Sequence, residues 1–135
     1  MENLDSLKLY PSIVENQTTG ILWLDASLRL RYMNPSAESL LELDAQHCYG
    51  KPLATNLPDL GDFAAILRRV LESQETVTQR ELHLMIGSPD ARHGVTVDCT
   101  VSPLYGEAAG MELLVEFLPL DRHLRISREV ALSVQ

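Results

Sequence analysis

The sequence predicts an α+β domain, in which an antiparallel sheet carries helices on one face. Three observations lead to this prediction. Two strand-like segments joined by a short turn occupy residues 21–34. Helical patterns follow in residues 35–74, and three more strand-like segments fill residues 76–118. Because the strands are grouped and do not alternate with helices, antiparallel pairing is favoured over a parallel sheet.

The first two strands form a predicted hairpin. The segment ILWLD at residues 21–25 is joined to LRLRYMN at residues 28–34 by Ala26 and Ser27. In the second segment apolar and polar residues alternate, which is typical of a strand with one buried face.

An Asn-Pro pair ends the second strand and begins the first helix. Asn34 is a good N-cap, because its side chain can accept a hydrogen bond from a backbone N–H of the first turn. Pro35 fits the first helical position, where no N–H is needed. Asp25 precedes the hairpin turn, so we interpret Asp25 and Asn34 as structural residues and not as an acid–base pair.

The clearest helix lies in the middle of the chain. Residues 62–74 place apolar side chains at helical spacing, with charged residues between them. Residues 47–61 contain two glycines and two prolines, so we predict an irregular segment there.

Three strands complete the predicted sheet. Residues 76–86 and 95–102 alternate between apolar and polar positions, and residues 87–94 between them are rich in turn-forming residues. Residues 111–118 are apolar enough for a central strand. Pro119 is predicted to end this strand, because proline has no N–H for the sheet.

We divide the chain into an N-terminal helical segment at residues 1–20, a central domain at 21–119 and an exit helix at 120–135. We expect the exit helix to continue toward a further domain.

The terminal segments are the predicted sites of dimer contact and signal output, since a two-fold contact presents each apolar patch twice. Packing of the N-terminal segment on its own sheet, or fraying, stays an alternative. The candidate residues are Leu4, Leu7, Ile13, Val14, Asp121 and Leu124.

The charge balance limits the classes of partner. The chain has 19 acidic and 11 basic residues, a net charge of −8. Such a surface repels phosphate backbones and anionic lipid heads, so we expect no direct nucleic acid binding and no membrane association. The N-terminus lacks the layout of a secretory signal, and the two cysteines do not form a CxxC pair. We therefore expect a cytoplasmic protein.

The residue types that carry chemistry are scattered. His47 and Cys48 are interpreted as a solvated histidine beside a loop thiol, because adjacent residues alone do not set a metal site. Cys99 falls on the apolar face of its strand and is predicted to be a small core residue. The other histidines lie on different elements and are interpreted as exposed, with pH sensing by the first as the less favoured alternative: His83, His93 and His123.

The chain resembles a PAS domain. The resemblance is carried by the order strand, strand, NPSAESLLEL, YGKPL, helix and three strands. It implies a five-stranded antiparallel sheet in the order 2-1-5-4-3 with helices on one face. Over nearly the whole chain, ILWLDASLRLRYMNPSAESLL and LLVEFLPLDRHLRISREV resemble the N-terminal region of nitrogen-regulation sensor histidine kinases, the NtrB or NR(II) family. Members of that family tend to have Pro-Leu-Asp after the last strand, as at residues 119–121 here.

This resemblance implies a function for a longer protein. Family members are cytoplasmic dimers that use ATP, with Mg²⁺, to phosphorylate a histidine and pass the phosphoryl group to a response regulator of nitrogen genes. They also promote dephosphorylation of that regulator under control of the PII signal protein. The family's H-E-x-x-N-P-L-like box and Gly-rich ATP-binding region do not occur in these residues. We therefore assign no catalytic residue here, and expect kinase residues beyond Gln135.

We predict no cofactor-binding or metal-binding residue in this chain. Haem-binding PAS domains place a histidine on the long helix, and residues 59–74 contain none. The flavin-binding motif of light sensors does not match GKPLATNL. Two alternatives stay open. One is a small-ligand-binding PAS domain of another signalling or transcription-regulating protein, and the other is a stand-alone small enzyme.

Overall fold

The structure is a computed structural model that describes residues 19–57, 59–106 and 110–119. Within these ranges it contains five strands and four helices. They are β1 (Gly20–Leu24), β2 (Leu30–Met33), α1 (Pro35–Leu41), α2 (Ala45–Cys48), α3 (Leu53–Asn56), α4 (Asp62–Ser73), β3 (Val77–Ile86), β4 (His93–Gly106) and β5 (Gly110–Pro119).

All five strands pair antiparallel in one sheet with the order β2-β1-β5-β4-β3. The α+β fold and the strand order implied by the resemblance are therefore confirmed. Along β5 the side chains alternate between the two faces of the sheet. Leu113, Val115 and Phe117 are completely buried and belong to the core. Glu112, Leu114 and Glu116 lie on the opposite face, which we call the outer face.

Helix α4 supplies the main cover of the inner face. Its buried residues are Phe63, Ile66, Leu67 and Val70, the i, i+3, i+4 and i+7 positions of an amphipathic helix. Phe63 meets Phe117 of β5 edge to face, with ring centroids 5.3 Å apart. Burial of this stripe holds the helix on the sheet, as predicted for residues 62–74.

The YGKPL segment completes the edge of β2. Leu30 donates its N–H to the Lys51 carbonyl and accepts from the N–H of Gly50. The Leu53 N–H donates to the Leu28 carbonyl, at 2.9 Å. The backbone of residues 49–53 thus hydrogen bonds to the outer edge of the hairpin, and the helices that follow are fixed to the sheet there.

Two segments differ from the prediction. Residues 47–61 were predicted to be irregular, but residues 45–56 contain the short helices α2 and α3, each with a buried apolar residue, Cys48 and Leu53. Strand β4 runs past the predicted residues 95–102, from His93 to Gly106. It continues through Pro103 because β3 pairs with β4 only as far as Val101, and the free side of a strand tolerates a missing N–H.

The N-terminal helical segment was predicted over residues 1–20. Residues 1–18 of it lie outside the described residues, whereas Gly20 begins β1. The predicted exit helix, residues 120–135, also lies outside the described residues. Across the described ranges, the structure contains no helix whose length and apolar character suit a membrane span.

Candidate functional site

The described interior between the sheet and the helices is apolar. Its cluster of buried residues consists of aliphatic and aromatic side chains with two thiols and a thioether. Recognition of a polar ligand requires a few converging polar groups in the pocket wall. The two buried polar residues in the described ranges are Asn34 and Glu112. Asn34 caps a helix at the end of β2, and Glu112 belongs to the outer face.

The two thiols lie in environments that disfavour the thiolate. Burial raises the pKa of Cys99 to about 12, and the nearby Glu116 carboxylate adds to the shift. Burial also raises the pKa of Cys48, together with the Asp44 carboxylate. The prediction of a core Cys99 is confirmed. The interpretation of Cys48 as a loop thiol is wrong, because Cys48 ends α2 and its side chain is buried.

The described histidines are exposed and lie on separate elements. His83 Nδ1 is 3.0 Å from the hydroxyl of Thr96 on the neighbouring strand. His93 Nε2 is 3.0 Å from a carboxylate oxygen of Glu42, which links β4 to the C-terminal end of α1. His47 precedes the buried Cys48 and is itself exposed. Among residues 19–57, 59–106 and 110–119, no three His, Cys, Asp or Glu side chains come close enough to hold a metal ion.

A partly buried ion pair crosses the outer face of the sheet. Arg31 of β2 donates from Nη1 to Glu112 of β5 at 3.2 Å, and the Glu112 side chain is only 6% exposed. The Arg31 guanidinium also lies over the ring of Trp23, 5.4 Å from its centroid. The Trp23 indole Nε1 is buried and has no acceptor among the described residues. This cluster joins three strands and was missed by the sequence analysis. The signal for it was the pair of carboxylates, Glu112 and Glu116, in an otherwise apolar strand.

Asp25 and Asn34 lie at opposite ends of the β1–β2 hairpin. Asp25 Oδ1 accepts hydrogen bonds from the N–H groups of Ser27 and Arg29 and closes the turn. Asn34 Oδ1 accepts from the Ala37 N–H and caps α1, as predicted. It also accepts from the Ile21 N–H of β1, which the sequence did not indicate. The structure thus gives both residues positioning roles.

The candidates for dimer contact and signal output lie outside the described residues: Leu4, Leu7, Ile13, Val14, Asp121 and Leu124. Their roles stay predictions, as does the position of His123. The structure does show where the chain enters and leaves the sheet. Gly20 at the start of β1 is paired with Phe117 near the end of β5. The two terminal segments therefore join neighbouring strands at the same end of the sheet.

Comparison with known proteins assigns the fold to a family. Residues 14–128 match the family described as the PAS fold. The PAS domain of nitrogen regulation protein NR(II) from Vibrio parahaemolyticus has a similar structure, with a TM-score of 0.66 and 28% sequence identity. That similarity covers 82% of this chain and 97% of the other.

Curated relatives are longer proteins. The sensory histidine kinase/phosphatase NtrB of Vibrio alginolyticus is 30% identical over 120 residues, which are 88% of this chain and 33% of the relative. NtrB of Escherichia coli O157:H7 is also 30% identical, over 87% of this chain and 31% of the relative. The chain thus spans about a third of the length of the curated relatives that it matches.

Proposed function

The chain belongs to the PAS family, and we propose that it is the sensory and dimerising module of a nitrogen-regulation histidine kinase. In this role it holds two kinase subunits together and biases the balance between autophosphorylation and dephosphorylation of the response regulator. The observation that carries the proposal is its similarity to NtrB proteins and to an NR(II) PAS domain over most of its length. The ATP and Mg²⁺ chemistry belongs to a kinase domain outside these residues.

The arrangement of the central strands supports this role. Strand β1 follows residues 1–18, β5 precedes residues 120–135, and the two strands pair along five residue pairs. A change in the dimer contact at the first segment therefore reaches the second through one ladder of backbone hydrogen bonds. Signalling by this route needs two arrangements of similar energy that the signal can bias.

The partners and location of the whole protein are part of the same proposal. We expect a cytoplasmic homodimer that acts on a response regulator of nitrogen genes and answers to the PII signal protein. The acidic chain, with a net charge of −8, fits a protein whose partners are other proteins and not nucleic acid.

The dimer part is tested by sedimentation equilibrium. Residues 1–135 are compared with residues 19–135 and with a length-matched variant in which Leu4, Leu7, Ile13 and Val14 are replaced by serine. We expect the intact chain to dimerise and both altered chains to bind at least about tenfold more weakly, because an apolar two-fold contact is lost. Monomers in all three samples would contradict the proposed dimer contact.

The kinase part is tested by the coding sequence and by activity. We expect the reading frame to continue beyond Gln135 into an H-E-x-x-N-P-L-like box, and the product to incorporate phosphate from ATP with Mg²⁺. A stop codon after Gln135, with no kinase gene that requires this chain, would refute the assignment.

A further inference from the structure

The Asn34 side chain holds the entrance to β1. This residue is completely buried, and its carboxamide uses both of its ends. Oδ1 accepts from the N–H groups of Ile21 and Ala37, each at 2.9 Å. Nδ2 donates to the carbonyl of Thr19 at 3.0 Å. The Asn34 backbone N–H also donates to the Ile21 carbonyl, at 3.1 Å.

Gly20 lies between the two backbone positions that Asn34 holds, and it lies directly against α1. A Cβ atom at Gly20 would lie 3.1 Å from Ala37 Cα and 3.3 Å from Ala37 Cβ. Ala37 is itself completely buried in the first turn of the helix. The first residue of β1 therefore passes so close to α1 that a side chain there would force α1 to shift by a few tenths of an ångström, and movement of one element displaces the other.

The bond to Thr19 does more than a helix cap requires. A cap needs only the oxygen of the side chain, and aspartate or serine serves about as well as asparagine. The Nδ2 group donates to the carbonyl of Thr19, which lies outside α1. It holds the carbonyl of the residue immediately before the sheet, where residues 1–18 join the domain.

We propose that the Asn34 carboxamide is a latch that sets the direction in which residues 1–18 join the sheet and couples that direction to the position of α1. This inference rests on the proposed function, because it gives the dimer contact in residues 1–18 a mechanical link to the helical layer. Asn34 is a positioning residue that acts through the backbone of Thr19 and Ile21. A shift of α1 is passed to the entrance of β1 through the latch.

The variant Asn34→Asp separates the latch from the cap. It keeps the oxygen that accepts from Ile21 and Ala37, removes the donor to Thr19, and places a second oxygen against the Thr19 carbonyl. Asp44→Ala is the matched control. It removes a cap bond to Gln46, at 3.0 Å, from the neighbouring helix α2 and leaves the entrance of β1 unchanged.

Two measurements are made on residues 1–135 of each variant. The first is amide hydrogen exchange at Gly20, relative to Leu24 in the same strand and to Ala37 in α1. In Asn34→Asp we expect exchange at Gly20 to rise about tenfold, with Ala37 still protected because its cap remains. In Asp44→Ala we expect the ratio of Gly20 to Leu24 exchange to stay at its wild-type value.

The second measurement is the dimer dissociation constant, by sedimentation equilibrium. We expect it to rise about tenfold in Asn34→Asp and to stay unchanged in Asp44→Ala. If the wild type is a dimer and the Gly20 exchange rate in Asn34→Asp equals that of the wild type, the latch is overturned and the proposed function still stands. Faster exchange with an unchanged dissociation constant would overturn the coupling. A monomeric wild-type chain would overturn the coupling together with the proposed dimer, whereas the exchange data would still decide whether Asn34 holds the entrance of β1.

Discussion

At the scale of single residues, the Cys99 thiol makes the stability of the domain depend on pH in the alkaline range. Its pKa is raised from an ordinary value of 9.0 to about 12, because the side chain is completely buried. Above pH 9 the thiol of the unfolded chain ionises while the folded thiol keeps its proton. The unfolded state is then favoured, so the contribution of Cys99 to stability is complete below pH 9 and is lost as the pH rises toward 12.

The predicted loss of stability at alkaline pH can be measured against a variant that lacks the thiol. The free energy of unfolding of the wild type should fall faster with pH than that of Cys99→Ala, by up to about 1.4 kcal/mol per pH unit above pH 9. Urea denaturation between pH 7 and pH 10.5 measures both curves, and subtraction removes the other titrating groups. Parallel curves would contradict the prediction.

Asn34 shows how far single residues could be predicted. The Asn-Pro pair predicts a helix start, because the residues that cap a helix act within one turn of the chain. The bonds to Ile21 and Thr19 span 13 and 15 residues, and nothing in the local sequence specifies them. The interpretation of Cys48 as a loop thiol was wrong for the same reason, since the burial of Cys48 depends on which strands and helices surround α2.

At the scale of secondary-structure elements, the edge strand β3 contains a bulge that binary patterning did not reveal. Its pairing with β4 shifts between Gln79 and Leu82, and Glu81 has a positive φ of 55°. The Glu81 N–H donates to Oδ1 of Asp98 on β4 at 3.0 Å. A bulge on an edge strand also hinders pairing with another chain.

Asp98 is therefore predicted to stabilise the bulge. Asp98→Ala should lower the free energy of unfolding by about 0.5–1.5 kcal/mol and speed amide exchange at Glu81, because the N–H loses its acceptor. Asp98→Asn keeps an oxygen at this position and serves as the control. Urea denaturation and hydrogen exchange by NMR test the pair of variants, and an equal loss in both would show that the charge, and not the hydrogen bond, is important.

The elements that were predicted correctly have long, regular patterns. Helix α4 has a full amphipathic stripe over three turns, and β5 is a mostly apolar segment with two glutamates, bounded by glycine and proline. Helices α2 and α3 have four residues each, too few for a period to be visible. They are held by tertiary contacts, such as the bond from the Leu53 N–H to the Leu28 carbonyl.

At the scale of the whole molecule, the antiparallel sheet could be predicted from alternation and grouping, but its strand order could not. That order came from the resemblance to PAS domains. The residues alone do not say that β5, the last strand, lies between β1 and β4. The order of the strands depends on how the connections between them run, and several orders would bury the same side chains.

The central position of β5 gives the Arg31–Glu112 pair its importance for the sheet, because the pair links β2 to β5 across β1. The Glu112 side chain is 6% exposed and that of Arg31 is 40% exposed, so the two partners are not equivalent. Arg31→Met leaves a buried carboxylate without its cation, whereas Glu112→Gln leaves a cation that can reach water.

We therefore expect an asymmetric double-mutant cycle. Arg31→Met should lower the free energy of unfolding at pH 7 by about 1–3 kcal/mol, and Glu112→Gln by less than about 1 kcal/mol. The double variant should be more stable than Arg31→Met alone, because it no longer buries an unpaired charge. Arg31→Met should also shift the fluorescence of Trp23, the single tryptophan of the chain, since the guanidinium lies over its ring. Urea denaturation followed by that fluorescence measures all four proteins. Equal losses in the two single variants would show that burial of Glu112 does not determine how strongly the three strands are held together.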